Sequence, residues 1–193
     1  MMDRSAVEAR RWTRQEYDRM IDAGVLTPED RVELIEGEIL TMTPQGTAHF
    51  TAISLAQEAL RAAAGSEFHV RTQGPLALGS ASEPEPDIAI VGGKVRDYRD
   101  HHPASAVLVI EIADSSLIYD REDRGSLYAR FGIPQYWIVN LPERVIEVYR
   151  DPEPEERARF GWHYRRADRY RAGDTIAPHA LPDAQIAVAD LLP

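Results

Sequence analysis

Three side chains in the middle of the chain have the types and spacing to act together chemically: Asp87, Glu111 and Arg124. Asp87 follows the rigid acidic segment Glu83-Pro84-Glu85-Pro86, whose prolines restrict the backbone. It opens an apolar run, Ile88-Ala89-Ile90-Val91. Glu111 interrupts the longest apolar and mostly β-branched run, Val107-Leu108-Val109-Ile110-Glu111-Ile112-Ala113. Such a run predicts a strand covered on both faces at the centre of a sheet. An unpaired ionised carboxylate is costly there. Glu111 therefore lies at the strand's open end, pairs with a cation, or is protonated. Arg124 falls on the apolar stripe of Leu127, Tyr128 and Phe131 in the helix that follows. Two neighbouring carboxylates suit a hard divalent cation, which is typically held by one or two carboxylates, waters and phosphate oxygens. A nearby fixed cation can orient water or steady developing negative charge. The same residues also fit a purely structural network in which Glu111 pairs with Arg124.

The elements that must position these groups follow from pattern. Thr13-Arg14-Gln15-Glu16 is a capping box opening a helix, with Tyr17, Met20 and Ile21 as its apolar side and Gly24 as its end. Val32 to Leu40 predicts a hairpin turning at Glu36-Gly37, with Glu38 on a solvated edge. A helix from about Ala48 to Ala64 carries the stripe Ile53, Ala56, Leu60 and Ala63 and stops at Gly65. His49, in its first turn, is expected as a surface or packing residue. Glu67 to Arg71 and Pro75 to Leu78 are strand candidates, and Lys94 to Ser105, including Asp100-His101-His102, is a loop. Asp120 can cap the helix that runs to Phe131, with Gly132 and Pro134 ending it. Tyr136 to Val139 is a buried strand and Arg144 to Arg150 its hairpin partner. Pro152 to Arg157 is a polar turn, and Gly161 to Arg165 and Ile186 to Val188 complete the sheet.

Composition bounds the function. At 193 residues the chain is expected to be one domain, 1–193, with residues 1–11 a loose lead. There is no cysteine, so there is neither a disulfide framework nor a thiolate zinc site. No apolar run approaches the roughly 20 residues of a membrane span. Met1 to Glu8 lacks a signal-peptide core, and a cytoplasmic location with no membrane partner is the default. The net charge of −10 argues against a broad electrostatic nucleic-acid binder, but not against a nuclease that keeps its basic residues local. Arginines crowd the last third among aromatic residues, in the pattern of a solvated hairpin.

Pro86-Asp87, followed by Glu111 on a strand, resembles the signature of the PD-(D/E)xK nuclease superfamily. More narrowly, the chain is similar to the Uma-type restriction endonuclease family of bacteria. The matching pieces are Glu33-Leu34-Ile35-Glu36-Gly37-Glu38, Pro44 with His49, Glu85-Pro86-Asp87-Ile88, Val109-Ile110-Glu111-Ile112 with Ser115-Ser116, and Tyr119-Asp120-Arg121. The most specific is the block from Tyr128 to Val139. The resemblance implies an α/β (α+β) fold with a restriction-endonuclease-like mixed central β-sheet flanked by helices. It implies Asp87 and Glu111 as ligands of Mg2+ (or Mn2+), and Glu33 or Glu36 as an additional acidic member. Ala113 stands where the superfamily lysine normally lies, and the lysine position of this family corresponds to Arg124. Arginine keeps the charge but is no base near neutral pH.

The expected function is metal-dependent hydrolysis of DNA phosphodiester bonds, with a homodimer supplying two sites for a duplex. One alternative is a non-catalytic nucleic-acid or protein binding module on the same fold. Another is a hydrolase, such as a glycosidase, that uses paired carboxylates without metal and is insensitive to chelation.

Overall fold

The computed structural model describes residues 8–193. Most of the expected N-terminal lead, and the question of a leader sequence, lie outside the described residues. The chain forms two compact units. The first comprises residues up to Thr43 with Ala77–Pro84, and the second Pro44–Leu76 with Glu85–Pro193.

In the first unit α1 (Arg14–Asp22) starts at the expected capping box. The Thr13 amide donates to Glu16 Oε2 at 3.0 Å, and the Glu16 amide donates to Thr13 Oγ1 at 3.2 Å. These bonds satisfy two amides that have no partner within the helix. Thr13→Ala is expected to lower stability by about 1 kcal/mol, read as a shift in denaturant midpoint at unchanged slope. Tyr17 is buried, but Ile21, placed on the apolar side by the sequence pattern, is 46% exposed. Strands β1 (Val32–Ile35) and β2 (Glu38–Thr41) pair antiparallel as expected. Glu36 and Gly37 both have positive φ, 47° and 80°, as a two-residue hairpin turn requires. A Cβ at Gly37 would lie 2.8 Å from the Arg11 Cβ, so the turn needs glycine for space as well as conformation. Glu38 pairs with Arg11 and stays partly solvated.

Pro75–Leu78 is not a strand, contrary to expectation. Only Leu78 pairs, through a single bridge with Ser82. Pro75 has no amide to offer a ladder.

The second unit is built on a six-stranded sheet in the order β3-β4-β5-β6-β7-β8. The strands are β3 (Phe68–Thr72), β4 (Ile88–Gly92), β5 (Leu108–Ala113), β6 (Gln135–Asn140), β7 (Val145–Pro154) and β8 (Trp162–Arg171). Only β5 and β6 run parallel, joined by a helical crossover, and the other neighbours are antiparallel. All six residues of β5 are buried, as a central strand demands. The helix α2 (Thr47–Ala63) lays Ala52, Ile53, Ala56 and Leu60 into a core with Ile88, Ile90, Ile110, Ile112, Trp137 and Val139. By strand alternation Ala89, Val109, Glu111, Tyr136 and Ile138 face the other side.

The crossover begins at α3 (Leu117–Tyr119), passes through a π-helical turn (Asp120–Arg124) and continues as α4 (Gly125–Arg130). Strands β7 and β8 are longer than expected and absorb part of the predicted polar turn. Ile186 and Ala187 do not join the main sheet. As β10 they pair with β9 (Thr175–Ile176) in a separate two-stranded sheet. Two residues are too few to extend a ladder whose edge is already a ten-residue strand. The arginines of the β7–β8 hairpin are largely paired, as in Arg150–Asp168, Arg165–Asp151 and Arg169–Glu143. This matches the solvated hairpin expected from sequence. No helix among the described residues is long and apolar enough to cross a membrane.

Candidate active site

The second unit brings Asp87, Glu111 and Arg124 together. Asp87 immediately precedes β4, and continuing the register Ile88↔Ile110 places it opposite Glu111 on β5. The two lock reciprocally. The Asp87 amide donates to Glu111 Oε2 at 3.2 Å, and the Ile112 amide donates to Asp87 Oδ2 at 2.8 Å. Each carboxylate is thus oriented by the backbone beside the other.

Arg124 reaches Glu111 from the crossover helix. Its Nη1 donates to Glu111 Oε1 at 2.8 Å and to the Tyr128 hydroxyl at 3.0 Å. The Tyr128 hydroxyl in turn donates to Glu111 Oε1 at 2.6 Å. Arg124 Nε lies 3.6 Å from Asp120 Oδ1, and the guanidinium sits 5.6 Å from the Tyr119 ring centroid. Asp120 and Arg124, four residues apart at the two ends of the π-turn, are both buried on its inward face. It is closed by the Gly125 amide donating to the Asp120 carbonyl, and the Tyr136 hydroxyl braces that carbonyl at 3.0 Å. Single π-turns inside helices are frequent at functional sites. Ser116 Oγ donates to the Asp120 carboxylate.

Sequence reasoning missed three members of this constellation. Asp120 is no N-cap: the helix starts three residues earlier, and Asp120 is buried within it. Tyr128 lies on the helix's apolar stripe, yet its hydroxyl joins Glu111 to Arg124. Both stand four residues from Arg124, the spacing that aligns helical side chains, and that signal was available in the sequence. His49, expected at the surface or in packing, is partly buried with Nε2 3.1 Å from Asp87 Oδ1. Gln45 Nε2 also approaches that oxygen, at 3.4 Å. Only the resemblance singled out His49, because α2 meets β4 in the tertiary fold alone. Glu33 and Glu36 belong to the first unit. Glu33 is buried on β1, and Glu36 turns the hairpin, its carboxylate accepting from Ser82 Oγ at 3.1 Å.

Electrostatically, three carboxylates, Asp87, Glu111 and Asp120, meet one guanidinium. Burial pushes the Glu111 carboxyl up to about 8, with the charges of Asp87 and Asp120 adding, while Arg124 and the Tyr128 hydrogen bond oppose. Burial likewise raises Asp120 to about 6, against the Ser116 hydrogen bond and Arg124. The cluster is short of positive charge, and a divalent cation would relieve it. The donor set fits one. Glu111 Oε1 is taken by Arg124 and Tyr128, but Oε2 accepts a single amide, and so does Asp87 Oδ2. Each of these oxygens keeps a lone pair for a hard ion completed by water. Among the described residues no group of three or more His, Cys, Asp and Glu is arranged to hold a metal ion, so any ion here would have two protein carboxylates and water.

Comparison with known proteins agrees with this architecture. The crystal structure of a "putative nuclease belonging to DUF820" from Anabaena variabilis ATCC 29413 superposes with a TM-score of 0.66 over 93% of this chain and 96% of its own, at 15% identity. At that identity the likeness establishes the fold, which is restriction-endonuclease-like. Part of the type IIG restriction endonuclease BpuSI aligns over 61% of this chain and 13% of its own, at 14% identity and a TM-score of 0.37. No curated protein matches. The sequence profile described as "Uma2: Putative restriction endonuclease" matches residues 14–189, and the chain belongs to that family.

Proposed function

We propose that the protein is a metal-dependent endonuclease hydrolysing DNA phosphodiester bonds. The observation that carries this reading is the reciprocal Asp87–Glu111 lock, with one lone pair left on each carboxylate and a guanidinium beside them. Asp87 and Glu111 would hold Mg2+ or Mn2+. Such an ion, when bound, polarises the phosphodiester and lowers the pKa of a coordinated water. The chain's own residues do the rest. His49 and the Ile112 amide hold Asp87 in place. Tyr128 and Arg124 hold Glu111 in place. Arg124 supplies fixed positive charge for the phosphoryl oxygens and stays protonated throughout. Cutting both strands of a duplex calls for two such sites, and so for a homodimer.

The test is cleavage of supercoiled and linear DNA with Mg2+ or Mn2+, with and without chelator, and with Asp87→Ala as control. Chelator-sensitive nicking absent from Asp87→Ala is expected. Metal-independent hydrolysis would end this reading. Glu33→Gln and Glu36→Gln, assayed separately, test whether either glutamate contributes to cleavage.

One observation favours a second reading, a non-catalytic binding module. Arg124 Nη1 is committed to Glu111 and Tyr128, supplying internally the counter-charge that Glu111 needs. Arg124→Lys separates the two, because lysine keeps the charge and can exchange a proton. Cleavage by Arg124→Lys is expected to rise by about tenfold or more. No gain, from a wild type that itself cuts nothing, would favour the binding module.

A further inference from the structure

Arg71 lies on β3, the edge strand beside β4. It is half-buried, and its Nε is a buried donor with no hydrogen-bond partner. Its Nη2 finds only the Pro75 carbonyl, at 3.4 Å, and its guanidinium stands 5.8 Å from the Tyr98 ring centroid. No carboxylate among the described residues pairs with it. The other arginines of this unit withdrawn from solvent, Arg121, Arg124 and Arg150, each hold a carboxylate. Burying a cation without a counter-ion is costly, and here burial lowers the Arg71 pKa with only Tyr98 opposing. The surroundings add positive charge. His69, two residues away on the same face, is pushed down by burial and then by the charges of Arg71 and Arg61. In a chain of net charge −10, this edge of the sheet is arranged to meet an anion.

Its place in the sheet identifies the anion. The register Arg71↔Ala89 and Ala89↔Val109 puts Arg71 on the sheet face that carries Glu111. The next row on that face is Gln73, Asp87 and Glu111, where the Gln73 amide donates to the Asp87 carbonyl at 3.1 Å. With neighbouring strands about 4.8 Å apart and alternate residues about 6.6 Å apart, the Arg71 and Asp87 backbones are about 8 Å from each other. The guanidinium folds back toward that row, its Nη2 3.0 Å from where a Cβ on Gly74 would sit.

We propose that Arg71 is a backbone-phosphate contact for the DNA strand on which the Asp87–Glu111 site acts, with Nε and the Nη groups taking phosphate oxygens. The inference rests on the nuclease reading for the identity of its ligand. A planar fork of donors suits a phosphate, and such a contact positions the strand without reading its sequence.

The test is binding of a labelled DNA duplex of about 20 base pairs, in chelator so that nothing is cut, followed by anisotropy across a salt series. Arg71→Ala is expected to weaken binding by about tenfold and to flatten the log Kd against log salt slope by about one, equally for unrelated sequences. Arg157→Ala, which removes the same charge from the exposed turn after β7, is expected to bind as wild type does. Arg71→Lys should restore the slope but only part of the affinity. Matched thermal melts, with Arg71→Gln as the variant preserving side-chain bulk, keep the comparison among folded proteins. If Arg71→Ala and Arg71→Gln match wild type in affinity and slope while the wild type cleaves DNA, this proposal falls and the nuclease reading stands. If the Arg71 effect appears but no metal supports cleavage, the nuclease reading falls and the phosphate contact stands. No duplex binding by wild type at about 50 mM salt overturns the proposal.

Discussion

Glu111→Gln is expected to reduce metal-supported DNA cleavage by at least about a thousandfold, a barrier increase of about 4 kcal/mol. The substitution keeps the size of a side chain that is only 4% exposed, so the sheet survives it. Glutamine can still accept from Tyr128 and Arg124 through its carbonyl. What it lacks is the negative charge and the lone pair that Oε2 keeps beside Asp87. A second readout does not depend on turnover. An ion that binds only the folded protein, at a hundredfold excess over its Kd, stabilises it by about 2.7 kcal/mol. Mg2+ or Mn2+ should therefore raise the Tm of the wild type and leave that of Glu111→Gln unmoved. A variant that cuts at a tenth of the wild-type rate, or keeps the metal-induced shift in Tm, would remove Glu111 from the ligand set.

The second large effect concerns stability. Glu147 on β7 is 2% exposed, yet it is saturated with donors. Arg121 Nε donates to its Oε2 at 2.9 Å, and Arg121 Nη2 also contacts it. The Tyr149 hydroxyl donates at 2.7 Å, Asn140 Nδ2 at 2.9 Å and Arg169 Nη2 at 3.2 Å. Burial alone would raise this carboxyl, but the hydrogen bonds from Arg121, Tyr149 and Asn140 outweigh it and hold the pKa down at about 2, against an ordinary 4.5. A carboxyl lowered in the folded state contributes stability that is complete above the unfolded value. That stability is lost as pH falls through the folded value. The wild type should therefore lose stability between about pH 4.5 and pH 2, and Glu147→Ala should lose much less over that window. At neutral pH, Glu147→Ala leaves the buried Asn140 amide and the part-buried Tyr149 hydroxyl unmatched and strips a part-exposed guanidinium, that of Arg121, of its main partner. The expected cost is about 3–5 kcal/mol, read from denaturant melts. A variant within about 1 kcal/mol of wild type, or one with the same acid profile, would show that water replaces the carboxylate at no cost.

Both predictions rest on carboxylates in strands that periodicity located easily. The run from Leu108 to Ala113 could hardly be anything but a central strand, because five of its six positions are apolar and, falling on both faces, need cover on both. The carboxylate inside it demanded a partner on energetic grounds, and the apolar stripe of the next helix nominated Arg124. Errors concentrated where local pattern competes with tertiary pairing. Pro75–Leu78 has the composition of a strand but pairs only through the single Leu78–Ser82 bridge. Ile186–Ala187 found β9 rather than the main sheet, and β7 and β8 outran the turn expected at Pro152 because their pairing continues through Glu153↔His163.

By itself, then, the sequence determined the central strand, its buried glutamate, the aspartate delivered by two prolines and the helix that returns a cation to them. All of these follow from apolar periodicity and from the cost of burying charge, which act over a few residues. Only the tertiary structure decided that His49 meets Asp87 and that the Tyr128 hydroxyl reaches Glu111. It alone left Arg71 half-buried without a counter-ion one row from the site. These pairings depend on strand register and helix docking between residues distant in the chain. No local pattern encodes them.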